Sequence, residues 1–296
     1  MESAPSQSVG RRWSEMKVLV VGATGTVGRA VVQALKAHGT SVIAASRTPE
    51  VHMFPQSVSG VRFDYDDDES VATAMAGADR CFVVAPPGLR DQARRWANTF
   101  AAAARAGVQH AVVMTAMGAT EDTPHGQGEA RLRESGLPWT VLRPRFFAQN
   151  FITYSGESIR RDHAFYYPAG AGRTAYIDVR DIAEVAATVL ANPSVHIGKG
   201  YDLTGPAELS MHDVAASLSA AVGRPIQYVD PGGEGYKRAL LDSGAPADIA
   251  TMFTHLYDVV VRQGWAGGTT EDVAQVLGRP ATAFDDFVRA HVDAWR

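Results

Sequence analysis

The stretch Val18-Leu-Val-Val-Gly22-Ala-Thr-Gly25-Thr-Val-Gly28 constrains this chain more than any other. Its apolar opening is short enough for a strand buried on both faces. Three glycines follow at a spacing of three, and then Val27, Ala30, Val31, Ala34 and Leu35 recur on one helical face until Gly39. Strand, glycine turn and amphipathic helix come in that order. Gly22 permits a tight turn, Gly25 leaves room for a pyrophosphate, and Gly28 lets helix and strand pack closely. The helix start offers free N–H groups and the positive end of its dipole to phosphates, with Thr24, Thr26 and Val27 in the same turn. In that context the glycines imply dinucleotide binding.

The next strand, Ser41 to Arg47, ends without the Asp or Glu that would hold the ribose 2′-hydroxyl of NAD. Arg47 stands there instead, suited to a 2′-phosphate, so NADP(H) is expected over NAD(H). A third strand near Val61 runs into Asp64 and Tyr65, placed for the adenine edge. A fourth, Cys81 to Ala85, leads into Pro86-Pro87-Gly88, a stiff loop for the cofactor border. Strand five ends at Thr115-Ala-Met117, the segment from His125 to Ser135 reads as a helix, and strand six is Trp139 to Arg143. Tyr201 to Gly205 reads as a seventh. Strands and helices alternate over the first 200 residues, which implies an α/β, Rossmann-type doubly wound parallel sheet.

Beyond Gly205 the pattern turns mostly helical, with a stripe at Ile249, Met252, Phe253, Leu256, Tyr257 and Val260. The expected organisation is a flexible extension over 1–15 and an NAD(P)-binding domain over 16–205. Residues 145–175 would contribute to a smaller substrate lobe completed by 206–296. The single cysteine, Cys81, lies in an apolar strand and reads as core. A net charge of −4 without basic clusters argues against nucleic acid. No apolar run has membrane-spanning length and the start lacks a signal-peptide core, so a cytoplasmic protein, monomer or homodimer, is expected. The nine histidines are scattered and no metal site is expected.

These residues resemble the atypical, extended short-chain dehydrogenases through Gly22-Ala-Thr-Gly25-Thr-Val-Gly28. His125-Gly-Gln-Gly-Glu129, Arg143-Pro144 with Phe146-Phe147-Ala-Gln-Asn150, and Ala175-Tyr-Ile-Asp178-Val-Arg-Asp181 narrow the likeness to the NmrA-like branch. So do Tyr201 to Pro206 and Leu277-Gly-Arg-Pro280. The resemblance spans residues 16 to about 292 and calls to mind NAD(P)H-dependent quinone and triphenylmethane-dye reductases. It implies a nicotinamide dinucleotide, although the branch also holds NADP-sensing regulators.

One departure matters. Ordinary members reduce carbonyls with a Tyr and a Lys four residues apart. Here the only lysines are Lys17, Lys36, Lys199 and Lys237, and none has a tyrosine four before it. His125 stands near the tyrosine's place, Gln127 near the lysine's, and Thr115 matches the usual serine. His125 and Thr115 are therefore the candidate catalytic residues. Phe147 and Asn150 are candidates for the nicotinamide, while Met117, Phe146, Phe253 and Tyr257 would line a flat pocket for a small aromatic or quinone-like substrate. The resulting expectation is an NADPH-dependent reductase of an electron-poor small molecule, without a Tyr-Lys proton relay. A dinucleotide sensor without turnover and a non-redox isomerase or cyclase of secondary metabolism are the alternatives.

Overall fold

The computed structural model describes residues 12–49, 54, 57–86, 88, 89 and 91–296. The chain alternates β1 (Lys17–Val21), α1 (Thr26–Ala37), β2 (Ser41–Ser46), β3 (Val58–Arg62), α2 (Asp68–Ala76) and β4 (Arg80–Val84). Then come α3 (Gln92–Arg105), β5 (His110–Met114), α4 (Pro124–Glu134) and β6 (Trp139–Pro144). Two short helices, α5 (Asn150–Thr153) and α6 (Gly156–Asp162), precede the strands β7 (Ala164–Tyr166) and β8 (Arg173–Thr174). After α7 (Val179–Ala191) the chain returns to the sheet as β9 (Lys199–Leu203).

These strands form a seven-stranded parallel sheet in the order β3-β2-β1-β4-β5-β6-β9. Val20 pairs with Ala44 on one side and Phe82 on the other, so the central strand is enclosed. That enclosure is why β1 reads as a continuous apolar run: Val18 through Val21 are all buried. The order reverses between β1 and β4, and the crevice beyond their carboxyl ends is where such sheets bind ligands. One core layer packs α1 and α7 on the sheet, and the other packs α2, α3 and α4 through Trp96, Phe100 and Leu132. Cys81 lies in the second layer, fully buried, and burial pushes its thiol up to about 12.

The rest comprises β10 (Leu209–Ser210), α8 (Met211–Val222), β11 (Gln227–Val229), α9 (Gly232–Asp242), α10 (Ala247–His255), α11 (Asp272–Leu277) and α12 (Phe284–Ala290); α11 packs back on the α1–α7 layer through Val273, Val276 and Leu277, and the others build a lobe. Pairing of β10 with β8 and of β11 with β7 weaves it into the segment after β6. Its core is aromatic, built on Phe151, Phe165, Tyr167, Tyr176, Tyr257, Phe284, Phe287 and Trp295. Ser210 caps α8 in a reciprocal capping box with Asp213, and Gly223 ends it.

Three local readings of the sequence need correction. Asp181-Ile-Ala-Glu184 has the sequence spacing of a capping box, but it does not cap α7. Asp178 caps α7, while buried Asp181 receives the Thr282 backbone N–H and the Arg279 guanidinium. The stripe beginning at Ile249 does not continue as one helical face, because α10 runs into a π-helical turn over Leu256–Val261. That turn buries Tyr257 and Val261 and leaves Met252, Phe253 and Leu256 only partly covered. Trp13, placed by sequence in the N-terminal extension, packs against the α1–α7 layer and donates its indole N–H to the His38 carbonyl at 3.1 Å. Residues 1–11 of that extension lie outside the described residues.

Candidate dinucleotide and substrate site

The turn after β1 is shaped by its glycines. Gly22 has φ +74°, a conformation that side chains resist, and a Cβ there would lie 2.9 Å from Val84 Cγ1 at the end of β4. A Cβ on Gly28 would run into the Gly22 carbonyl oxygen and Ala23, so this glycine brings α1 onto the turn. Gly25 differs: a Cβ there would meet only Gly22 O, at 3.4 Å. The space over Gly25 is open, and Gly25 and Thr26 are exposed.

Helix α1 starts at Gly25 without a side-chain cap. Among the described residues, no acceptor meets the N–H groups of Thr26, Val27 and Gly28. Free donors at the positive end of a twelve-residue helix beside an open glycine suit a pyrophosphate. Thr24 is held from below, its carbonyl accepting from Arg29 Nε at 2.8 Å.

At the end of β2, the Ser46 hydroxyl is buried without a partner. Next to it Arg47 is exposed and makes no ion pair with any described residue. Asp64 and Tyr65 leave β3 nearby. The Asp64 carboxylate accepts the Asp66 backbone N–H at 3.1 Å, and the Tyr65 hydroxyl donates to the Val84 carbonyl at 3.0 Å. This ties the β3 and β4 ends together beneath Ala85 and exposed Pro86; Pro87 lies outside the described residues. A Cβ on Gly88 would lie 2.9 Å from Ile249 Cδ1, so α10 reaches across this loop from the lobe.

Past β5, Thr115 is buried and its hydroxyl donates to Glu129 Oε1 at 2.9 Å. Glu129 is buried too. Arg143 holds both its oxygens, Nε to Oε1 and Nη2 to Oε2, each at 2.7 Å, and Arg133 adds a bond at 2.8 Å. Burial works to raise this carboxyl, but Arg143, Thr115 and Arg133 outweigh it and hold Glu129 below the usual carboxylate range. Arg143 ends strand six at the carboxyl edge, a sequence position beside the expected nicotinamide, yet its guanidinium is spent on Glu129. From its sequence position Glu129 reads as a helix-surface or ribose-side residue; the structure buries it, so the surface alternative does not hold. The sequence signal was present: an arginine in a buried strand and a glutamate among small helical residues each require a partner.

His125, in the first turn of α4, bonds through Nδ1 to the Gln92 amide nitrogen at 3.1 Å and tilts against the Trp96 ring at 6.3 Å. Burial lowers its pKa, partly offset by the Glu129 charge. The glycines around it serve packing, since Gly126 abuts the Thr120 carbonyl and Gly128 the Trp96 indole. Gln92 was not foreseen, because nothing in sequence aligns the start of α3 with that of α4.

The Phe146–Asn150 stretch leads from sheet to lobe. Phe147 bridges to Ile177 and packs against the α1–α7 layer, and the Met117 N–H reaches the Pro144 carbonyl at 3.1 Å. Phe146 meets Tyr257 at 5.3 Å between ring centroids. Tyr257 itself is fully buried against Tyr167 at 4.3 Å, so core packing accounts for its place. Phe253 stacks edge-on against exposed Tyr154 at 5.3 Å. Among the described residues, no cluster of three or more His, Cys, Asp or Glu is arranged for a metal, and no helix is long and apolar enough to cross a membrane.

Comparison with known proteins agrees with this geometry. A family described as NAD(P)H-binding matches residues 22–193. The NAD(P)H azoreductase of Xenophilus azovorans is 37% identical over 288 residues, covering 94% of this chain and 99% of that protein. Quinone oxidoreductase 2 of Escherichia coli is 24% identical over 92% of this chain and 97% of its own. The crystal structure of Citrobacter sp. triphenylmethane reductase complexed with NADP(H) superposes with a TM-score of 0.81 at 26% identity, covering 92% of this chain and 99% of that one. The chain belongs to the NAD(P)H-binding family and is an NAD(P)H-dependent oxidoreductase.

Proposed function

We propose that this protein is an NADPH-dependent reductase that delivers hydride to an electron-poor aromatic acceptor such as a quinone, an azo compound or a dye cation. One observation carries the reading: the groups standing where a carbonyl reductase keeps its proton relay are engaged elsewhere. The Thr115 hydroxyl is committed to Glu129, that carboxylate to two arginines, and His125 to Gln92. The azoreductase and triphenylmethane reductase relatives support the same class of acceptor.

Reduced nicotinamide, when bound, supplies a hydride from its ring C4. The open Gly25 turn and the free N–H groups of Thr26, Val27 and Gly28 would hold its pyrophosphate, and Arg47 with Ser46 the 2′-phosphate. Phe147 and Asn150 would border the nicotinamide, with Met117 and Phe146 beside the acceptor. A quinone that accepts two electrons with the hydride leaves a delocalised anion, which water protonates. Positioning then suffices. A ketone gives a localised alkoxide and needs the missing acid, worth about 10²–10⁴-fold.

The test is loss of NADPH absorbance with matched quinone, azo and ketone acceptors. Turnover of the quinone or azo compound at least a hundredfold faster than the ketone is expected. Equal or faster ketone reduction overturns the reading, as does tight NADPH binding with no turnover of any acceptor, which would favour a sensor.

A further inference from the structure

Arg145 is left over from the ion pairs around it. It follows Pro144 at the carboxyl end of β6, and its backbone N–H bonds the Leu203 carbonyl at the end of β9. Two carboxylates lie close enough for their charge to reach it, Asp202 and Glu208. Both are engaged elsewhere. Asp202 pairs with Arg143 at 3.4 Å, and Glu208 accepts the Gly268 backbone N–H. No carboxylate among the described residues comes within ion-pair distance of the Arg145 guanidinium, and its Nε is buried without an acceptor.

A guanidinium stays charged even where burial opposes it. Half-removed from water with unused donors, it costs free energy unless another group supplies acceptors. Its position suggests what that group belongs to. Arg145 directly precedes Phe146 and Phe147, and Met117 is bonded to the preceding Pro144 carbonyl. From the lobe, a Cβ on Gly268 would lie 3.9 Å from a terminal nitrogen of Arg145. Three residues before Gly268, Trp265 exposes 66% of its surface, a flat apolar ring facing water. A planar cation without an ion pair among the described residues thus stands between the end of β9 and the Gly268 turn of the lobe, one residue before Phe146, which is assigned above to the acceptor.

We infer that Arg145 forms a subsite for an oxyanion, a carboxylate or sulfonate, carried on the aromatic acceptor. The inference rests on the reductase reading for the place of the acceptor, but not on turnover. The fork of N–H donors matches a carboxylate or sulfonate edge through two parallel bonds. A neutral acceptor leaves that fork unsatisfied.

The experiment compares 1,4-naphthoquinone with its 6-sulfonate as NADPH-dependent acceptors, in wild type, Arg145→Met and Arg145→Lys. The sulfonate-to-neutral ratio of kcat/KM should fall at least tenfold in Arg145→Met, mainly through KM, with Arg145→Lys intermediate. A ratio within threefold of wild type in a folded Arg145→Met protein overturns the subsite and leaves the reductase reading standing. Calorimetry on NADP⁺-loaded protein with naphthalene-2-sulfonate and neutral naphthalene-2-sulfonamide reads the subsite without chemistry. Arg145-dependent preference for the sulfonate there, with no quinone turnover, upholds the subsite and overturns the reductase reading.

Discussion

Glu129 Oε2 lies 2.7 Å from Arg143 Nη2 while Oε1 takes Arg143 Nε at the same distance, a two-pronged pair between α4 and β6 under the cofactor edge. The pair ties β6 to α4, which carries His125, and Glu129 also holds the Thr115 hydroxyl past the end of β5. With the Thr115 hydroxyl donating to Glu129, neither the carboxylate nor the hydroxyl is left to pass a proton to substrate. Removing Glu129 leaves the half-buried Arg143 guanidinium with only its longer contact to Asp202 at 3.4 Å among the described residues, so Glu129→Ala should cost about 3 kcal/mol, toward the lower end for a broken buried pair. Thr115→Val, which deletes one neutral donor, should cost about 1 kcal/mol. Because the folded pKa of Glu129 is lowered, its contribution is present above the unfolded carboxylate value, roughly 4.3, and is lost as pH falls through the folded value. Urea titrations at pH 7 and below pH 4 check this. A Glu129→Gln protein with the wild-type acid slope would count against it.

Gly25 and Gly28 should respond in opposite ways to one methyl group. Gly25→Ala, with 3.4 Å to its nearest neighbour, should keep the fold and lose NADPH affinity, because the methyl enters the space assigned to pyrophosphate. Gly28→Ala meets the Gly22 carbonyl and should lower thermal stability even without nucleotide. Tm and NADPH titration on both variants separate the two. Equal loss of stability would mean both glycines serve packing alone.

Arg47 should set the cofactor preference. It is exposed, has no ion pair among the described residues and adjoins the unpartnered Ser46 hydroxyl. A charge-assisted contact is worth roughly 1.5–3 kcal/mol, about 10–150-fold in affinity. Titrating wild type and Arg47→Ala with NADPH and NADH should show the NADPH advantage falling within that range. An unchanged ratio would assign the discrimination to another residue.

His110 should make the fold sensitive to mild acid. It is fully buried at the start of β5. Its Nε2 donates to the Thr140 hydroxyl at 2.9 Å, and that hydroxyl passes its own proton to the His196 carbonyl at 2.7 Å. Burial first, then the Arg80 and His196 charges, lower its pKa to about 4. The unfolded chain binds this proton from roughly pH 6.5 downward and the folded chain resists until about 4, so stability should fall across that window as pH drops. The integrated effect is of order 3 kcal/mol. His110→Gln, which keeps a donor, should flatten the urea-midpoint curve between those values. Parallel curves would place the acid sensitivity elsewhere.

The alternation of strands and helices and the glycine turn were legible in sequence because their signals are local: apolar runs, glycine spacing and helical period lie within about thirty residues. The ion pairs were not. Glu129 with Arg143, and Asp181 with Arg279 and Thr282, join elements whose register only the folded sheet defines. A fixed helical period also hides the π turn at Leu256–Val261, and strands of two or three residues such as β8 and β11 are too short to show any period.

The last prediction concerns His125. With the Gln92 amide donating to Nδ1, the neutral ring carries its proton on Nε2. Burial lowers its pKa, so at pH 7 it is uncharged and a poor acid. If the acceptor is an electron-poor ring protonated by water, His125→Ala should cost less than about tenfold in kcat with a quinone, below the range of an acid–base residue. The kcat profile should then lack a limb below roughly pH 6.5, where a buried histidine would titrate. Gln92→Ala should be equally mild, since orienting an idle imidazole has no kinetic consequence. A thousandfold fall in kcat for His125→Ala at unchanged KM, with a low-pH limb in wild type that Gln92→Ala displaces, would make His125 the proton donor. That result would restore carbonyl reduction, with the imidazole in place of the absent tyrosine. The mild outcome is expected because the only charged group acting on His125 among the described residues, Glu129, is already paired with Arg143 and Arg133.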